Sequence, residues 1–322
     1  LGINGSDAST FMEAIPYQFY SILALFLIPI VAFGRHDFGF MAKAEEQARL
    51  GLPQNISDDE AILVSDDKKV SPWNMILPLV ILLGTILVMF VSWGFPFQNI
   101  PGSKIRIALT SGYLLASIVC MIMITAQKLM SFKETFDVFI GGIQKMGSVL
   151  VVVVLAWGVG SVCKDLGTSQ FIVDSTLGLI TPHVVPALLF LVGVIISFAT
   201  GTSWGAMAIL LPIGINMAVG FGVSIPMTIG AVLSGCLFGD HCSPISDTTV
   251  MSAMAAGCDL LEHTRTQLPY AGIAALASFV AYLILGFTNA NIWIMLVVAL
   301  ALLIVFYLLS CRLWGVKAAE SK

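Results

Sequence analysis

Long apolar runs without charged residues alternate with short polar segments along most of the chain. A run of about 18 or more apolar residues is long enough to cross the hydrocarbon core of a bilayer as a helix. Such runs lie at about 16–33, 73–93, 107–127, 146–163, 184–239 and 267–311. The last two are long enough for more than one crossing each. The pattern therefore predicts an all-α polytopic membrane protein.

The composition agrees with this class. The 322 residues are 58% hydrophobic and only 11% charged, and the mean hydropathy is +0.96. In a soluble domain about a quarter of the residues are charged. The expected partner is thus the lipid bilayer. No nucleic-acid partner is predicted, and a homodimer is compatible with the sequence.

One sizeable hydrophilic segment, 34–71, separates the first apolar run from the rest. It contains five Lys or Arg and eight Asp or Glu residues, and its basic residues place it in the cytoplasm by the positive-inside tendency. The basic tail 312–322 is placed on the same side. The predicted organisation is 1–33 with one transmembrane helix, a cytoplasmic loop 34–71, a transmembrane region 72–311 and a cytoplasmic tail 312–322.

A segment rich in glycine and hydroxyl groups, 199–205, interrupts the long run that begins at Val184. The apolar arm before it is slightly short for a full span. Irregular backbone at membrane depth is tolerated only where protein or a water-filled cavity satisfies its polar groups. This favours a re-entrant hairpin at about 184–220 that offers hydroxyl oxygens to a cation. The hydroxyl groups at its tip belong to Thr200, Thr202 and Ser203. Alternatively, Gly201 and Gly205 form a Gly-x-x-x-Gly spacing that lets helices pack closely.

The most informative stretch is 238–249, Phe-Gly-Asp-His-Cys-Ser-Pro-Ile-Ser-Asp-Thr-Thr, because 175–239 contains no Asp, Glu, Lys or Arg. A carboxylate at membrane depth costs roughly a few kcal/mol and normally marks an ion path or a substrate site. Gly239 and Pro244 are predicted to break a helix at about 225–256, since Pro has no N–H group. The carbonyls and half-helix ends of such a discontinuous helix can coordinate a cation.

Hard cations such as Na⁺ prefer oxygen ligands. The candidate cation and proton ligands are Asp240, Ser243, Ser246, Asp247, Thr248 and Thr249. Histidine has a reference pKa of about 6.5, so His241 is a candidate for setting the pH range of activity. Two alternatives remain open, because Asp247 could cap the helix that resumes at Thr248 and His241 could be a satisfied interior histidine.

Basic residues are absent between Lys164 and Arg265. A site for a dicarboxylate ordinarily contains Arg, Lys or helix N-termini that face the anion. This segment supplies carboxylates instead, which favours a cation as the substrate. A membrane enzyme that uses a metal at Asp240, His241 and Asp247 is disfavoured, because no comparable ligand set accompanies the three residues.

Three segments resemble NhaC-type sodium/proton antiporters. The segment 239–249 resembles the family signature, 200–205 together with Leu-Pro-Ile at 211–213 resembles its second hallmark, and 37–45 is also similar. The resemblance extends over about 16–311. It implies an inverted-repeat ion transporter in which each repeat has a re-entrant hairpin and a discontinuous helix. This chain would then hold the second repeat and the end of the first, with the N-terminal repeat largely missing.

The residues and the resemblance together predict a secondary transporter that exchanges Na⁺ for H⁺ across the bacterial cytoplasmic (inner) membrane. Na⁺ is expected at Asp240 and Asp247, with no cofactor and no enzymatic activity. The alternative is a Na⁺- or H⁺-coupled transporter or exchanger of organic acids or amino acids, of the malate/lactate type. Because the chain begins with Leu1 and no basic residues precede the first apolar run, a signal peptide is not indicated. We expect further sequence upstream, and an inactive truncated remnant is a minor alternative.

Overall fold

A computed structural model describes residues 7–34, 36–50, 71–95, 98, 100–167, 171, 181–256 and 258–315. Within these ranges the chain forms twelve α-helices and no β-strand. They are α1 (Asp7–Ala14), α2 (Phe19–Gly34), α3 (Gly39–Arg49), α4 (Trp73–Ser92), α5 (Gly102–Ala126), α6 (Phe132–Asp165), α7 (Val185–Thr200), α8 (Ser203–Phe221), α9 (Ile225–Cys242), α10 (Asp247–Ala256), α11 (Leu260–Thr288) and α12 (Ile292–Trp314).

Six of the described helices are long and apolar enough to cross a membrane. They are α4, α5, α7 with the preceding turn, α8, α11 and α12. A seventh candidate is the bent pair Thr10–Tyr17 and Phe19–Gly34, whose halves meet at 48°. The prediction of an all-α polytopic membrane protein is thus confirmed. The predicted run at 146–163 lies inside α6.

The chain divides into two compact units, and the first comprises Leu1–Met12 and Ile62–Leu150. In this unit α4 and α5 pack together as an antiparallel pair. The side-chain amides of Asn74, at the start of α4, and Gln127, just after α5, exchange two hydrogen bonds. These hydrogen bonds therefore hold α4 and α5 together at the end opposite to the segment that connects them.

The second unit comprises Glu13–Ala61 and Val151–Lys322, and its closest helix contact joins α7 to α9. Glycines make this contact possible. A Cβ atom added at Gly235 would overlap the carbonyl oxygen of Phe190, and one added at Gly239 would lie 2.6 Å from the carbonyl oxygen of Val194. Small residues let membrane helices approach until their backbones touch. The two helices consequently form one tightly packed pair.

Helix α11 is attached to this pair through Tyr282, whose side chain is completely buried. Its hydroxyl oxygen lies 2.6 Å from the carbonyl oxygen of Tyr17, 3.0 Å from that of Gly230 and 2.9 Å from the hydroxyl oxygen of Ser234. The Tyr282 ring packs against Phe19 with a centroid distance of 4.8 Å. One side chain thus joins α11 to α9 and to the start of α2.

The segment that leads from α2 into α3 is anchored by two tyrosines. The hydroxyl of Tyr270 donates to the Asp37 carboxylate at 2.7 Å and accepts from the Phe38 N–H at 3.3 Å. The Phe38 ring lies 4.4 Å from the ring of Tyr270 and 6.2 Å from that of Tyr307. The predicted cytoplasmic loop starts from this anchor, although its residues 51–70 and residues 316–322 of the predicted tail lie outside the described part of the chain.

Candidate functional site

The helix break lies between α9 and α10. Helix α9 ends at Cys242, α10 begins at Asp247, and Pro244 lies in the gap. The prediction that Gly239 also breaks the helix is wrong, because this residue is helical and buried. Its missing side chain serves the close approach of α7 instead, where a Cβ atom would lie 2.7 Å from the backbone nitrogen of Phe198. The proline alone therefore accounts for the interruption.

The carboxylate of Asp240 lies one turn before this break and is surrounded by hydroxyl groups. Asp240 is only 8% exposed. It accepts hydrogen bonds from Ser246 at 2.7 Å, from Ser203 at 3.1 Å and from Thr248 at 3.4 Å. The hydroxyl oxygens of Ser246 and Thr248 lie 2.8 Å apart. We call these four residues, Asp240, Ser203, Ser246 and Thr248, the Asp240 cage.

The hairpin tip between α7 and α8 brings Ser203 to the cage. Gly201 has a φ of +66°, which favours glycine, and a Cβ atom there would lie 2.8 Å from the carbonyl oxygen of Ile245. The tip therefore touches the break directly. Thr202 precedes α8, and its hydroxyl accepts from the Gly205 N–H at 3.5 Å, as a helix N-cap does. This cap starts α8 at Ser203, whose hydroxyl then points at Asp240.

The other predicted hydroxyl ligands donate to backbone carbonyl groups and not to the Asp240 carboxylate. Thr200 donates to the carbonyl oxygen of Ile196 at 2.8 Å, Ser243 donates to that of Phe198 at 2.8 Å, and Thr249 donates to that of His241 at 3.2 Å. All three bonds reach carbonyl groups near helix ends, and the bond from Ser243 to Phe198 joins the break to the hairpin. Of the three tip hydroxyls, only that of Ser203 reaches Asp240.

The second predicted carboxylate, Asp247, is the first residue of α10 and is exposed. The helix is capped by Ser246 rather than by Asp247, because the Ser246 hydroxyl accepts from the Thr248 N–H at 3.2 Å. Within the described residues the Asp247 side chain takes no part in the Asp240 cage. A role for Asp247 as a cation ligand stays a prediction.

Next to Asp240, His241 contacts two residues that sequence analysis did not identify. Its Nδ1 lies 2.6 Å from the hydroxyl oxygen of Tyr20, and its carbonyl oxygen accepts from the Gln267 side chain at 2.6 Å. Tyr20 is a polar group in the almost entirely apolar helix α2, which is the sequence signal that could have drawn attention to it, whereas Gln267 ends a polar stretch, 262–267, at the start of α11 and does not stand out.

The cage has the chemistry of a small hard-cation site. It offers one carboxylate and three hydroxyl groups, and it contains no basic side chain. A hydroxyl group has one donor hydrogen and two acceptor lone pairs. It can thus donate to the ionised carboxylate or turn a lone pair toward a cation without moving far. Among the described residues no three His, Cys, Asp or Glu side chains come together to hold a metal ion.

The sequence of the chain is similar to those of several known proteins. The chain is 27% identical to an uncharacterized protein of Haemophilus influenzae over 94% of this chain and 59% of the relative. It is 28% identical to the malate-2H⁺/Na⁺-lactate antiporter of Bacillus subtilis over 65% of this chain and 43% of the relative. It is 27% identical to the Na⁺/H⁺ antiporter NhaC of Alkalihalophilus pseudofirmus over 39% of this chain and 27% of the relative. The matched part of the chain covers between 27% and 59% of the length of these relatives, and no solved structure matches the chain.

A family model decides the classification. The model described as the Na⁺/H⁺ antiporter family matches residues 3–287, which include both hairpin helices, the break and the whole Asp240 cage. This match confirms the resemblance to NhaC-type proteins that the segments around 200–213 and 239–249 predict. The chain belongs to the Na⁺/H⁺ antiporter family.

Proposed function

We propose that this chain carries the ion-binding part of a secondary transporter that exchanges Na⁺ for H⁺ across the bacterial cytoplasmic membrane. The observation that carries the proposal is the buried Asp240 carboxylate, which is surrounded by hydroxyl groups and has no Lys or Arg in its cage. Membership of an antiporter family supports a transporter rather than an enzyme. The exchange needs only the transported ions and no cofactor.

In the proposed mechanism Na⁺ and H⁺ compete for Asp240. When Na⁺ is bound, the ionised carboxylate and the lone pairs of Ser203, Ser246 and Thr248 coordinate it. When a proton is bound, the neutral carboxyl group keeps it and donates a hydrogen bond to a neighbouring hydroxyl oxygen. The two states exclude each other because a positive charge beside the carboxylate disfavours its protonation. Asp247, exposed at the start of α10, would attract cations to the approach of the cage.

Alternating access then requires the site to open to each side in turn. We propose that α7 and α8 form a re-entrant hairpin and that α9 and α10 form the discontinuous helix of the second repeat within 72–311. Residues 1–33 would be the end of the first repeat. The contact between Gly201 and Ile245 supports this arrangement, since it joins the hairpin tip to the break. Movement of the hairpin and the broken helix against the remaining helices would expose Asp240.

The replacement Asp240→Asn tests the proposal. Na⁺-dependent proton movement in everted membrane vesicles, followed with a pH-sensitive dye, should fall to the background of vesicles without the protein. The matched control is Asp137→Asn, because Asp137 is exposed on α6 and its replacement should leave exchange unchanged. Full exchange by a correctly inserted Asp240→Asn protein would refute the assignment.

A second candidate function is coupled exchange of an organic acid. It is favoured by the similarity to the malate-2H⁺/Na⁺-lactate antiporter, which extends over 65% of this chain. The absence of Arg and Lys from the Asp240 cage argues against a carboxylate substrate at this position. Uptake of labelled malate or lactate by proteoliposomes without net Na⁺/H⁺ exchange would favour this function. An inactive remnant would show neither activity.

A further inference from the structure

His241 is held from two sides by residues of two other helices. The hydroxyl of Tyr20, on α2, lies 2.6 Å from its Nδ1 atom, and the side-chain amide of Gln267, on α11, donates to its carbonyl oxygen at 2.6 Å. Tyr20 is only 2% exposed and its ring packs edge-on against Phe238 at 5.2 Å. Both contacts are short, and they hold the side chain and the backbone of the same residue.

The position of His241 makes these contacts important for the neighbouring carboxylate. Asp240 and His241 both lie in the last turn of α9, where carbonyl groups lack partners in the helix. The carbonyl oxygen of His241 is satisfied by Gln267 and, at 3.2 Å, by the Thr249 hydroxyl. Without these donors the last turn can rotate or unwind, because Pro244 removes the helical hydrogen bonds that would otherwise continue it. Such a movement would take Asp240 away from Ser203.

We propose that Tyr20 and Gln267 are positioning residues of the Asp240 cage. They hold the last turn of α9 in the orientation that lets the hydroxyls of Ser203 and Ser246 reach the carboxylate. Their hydrogen bonds to His241 break when the cage opens to exchange its ion. This inference rests on the proposed function and assigns it two further residues on separate helices.

The first test separates binding from turnover. In Tyr20→Phe and Gln267→Met the KM for Na⁺ should rise about three- to tenfold, which is the factor expected for loss of one ordinary hydrogen bond. The kcat should stay the same or rise, since these bonds stabilise the ion-bound ground state and break when the cage opens. The controls are Tyr113→Phe and Gln144→Met, at exposed positions on α5 and α6. In a His241→Ala protein, which has no side-chain partner for the Tyr20 hydroxyl, Tyr20→Phe should cause no further rise in the KM.

The second test does not depend on transport. Cys242 follows His241 and is completely buried, so its reaction with N-ethylmaleimide reports opening of the last turn of α9. In purified protein whose other five cysteines are replaced by Ala, labelling of Cys242 should become at least threefold faster in Tyr20→Phe and in Gln267→Met. Added Na⁺ should slow the reaction.

The outcomes distinguish the two levels of the argument. Unchanged Cys242 labelling in both variants, or an unchanged KM with a reduced kcat, would overturn the positioning role. Faster labelling in the variants would support the positioning role. If Na⁺ does not slow labelling in the protein with Tyr20 and Gln267 intact, the result counts against Na⁺ binding at Asp240. Gln267 contacts the backbone carbonyl of His241 independently of Tyr20. The Gln267→Met variant therefore tests the proposal even if Tyr20→Phe prevents folding.

Discussion

The contact between α7 and α9 at Gly239 leads to a quantitative prediction for Gly239→Ala. The added Cβ atom would lie 2.6 Å from the carbonyl oxygen of Val194, whereas ordinary contacts begin at 3.4 Å. Helices α7 and α9 must therefore separate by the difference, about 0.8 Å, at Gly239, which directly precedes Asp240. If this movement adds fully to the 3.1 Å between Ser203 and Asp240, the distance becomes about 3.9 Å, too long for a hydrogen bond.

Two consequences of this separation can be measured. Overpacking of this kind costs about 1–3 kcal/mol, which exceeds the gain of about 0.5–1 kcal/mol that alanine brings to a helix. The purified Gly239→Ala protein should therefore unfold at a lower temperature, as monitored by intrinsic fluorescence, and its KM for Na⁺ should rise.

Gly272→Ala on α11 is the matched control. A Cβ atom at Gly272 would meet nothing within 4 Å, so this replacement should retain or raise the melting temperature and leave the KM for Na⁺ unchanged. Equal melting temperatures and equal KM values for the two variants would refute the argument that backbone contact at Gly239 sets the geometry of the cage.

Three further replacements probe the site and its support. Asp247→Asn should raise the KM for Na⁺ no more than about threefold, because the residue is exposed, and loss of exchange as complete as in Asp240→Asn would contradict the cage. Ser246→Ala removes the 2.7 Å bond to Asp240 and should raise the KM about three- to tenfold with little change in kcat; an unchanged KM would exclude Ser246 as a ligand. Tyr282→Phe removes a buried hydroxyl that lies within 3.0 Å of three oxygens and should cost about 1–3 kcal/mol of unfolding free energy, whereas the same stability as in Tyr113→Phe would show that this hydroxyl contributes little.

Much of the helical architecture could be predicted from the sequence. The apolar runs determine the helices because each must satisfy its own backbone groups in a bilayer, and α4 and α5 lie close to the predicted ranges 73–93 and 107–127. The break near Pro244 could be predicted equally well, since proline cannot continue the hydrogen-bond ladder of a helix. Glycine is less informative, because it can lie inside a helix as Gly239 does. Its Gly-x-x-x-Gly spacing with Gly235 was the available sign of close helix packing.

The details of the site depend on three-dimensional geometry that no local pattern contains. Asp240 and Asp247 are similar in sequence context, but the turn around Pro244 directs one into the cage and leaves the other exposed. Thr200, Thr202 and Ser203 are likewise equivalent as hydroxyl residues until the φ of Gly201 selects which of them faces α9. Tyr20 was out of reach for another reason, because it is 221 positions from His241 and nothing near it identifies its partner.

All four side chains of the Asp240 cage come from one continuous stretch, Ser203–Thr248. Proteins begin to fold during synthesis, N-terminal parts first, and contacts within a short stretch form early because they close small loops. The cage can therefore assemble during membrane insertion before α11 and α12 have been synthesised. The contact from Gln267 has to wait for the next helix, so the order of synthesis builds the binding groups first and fixes the last turn of α9 afterwards.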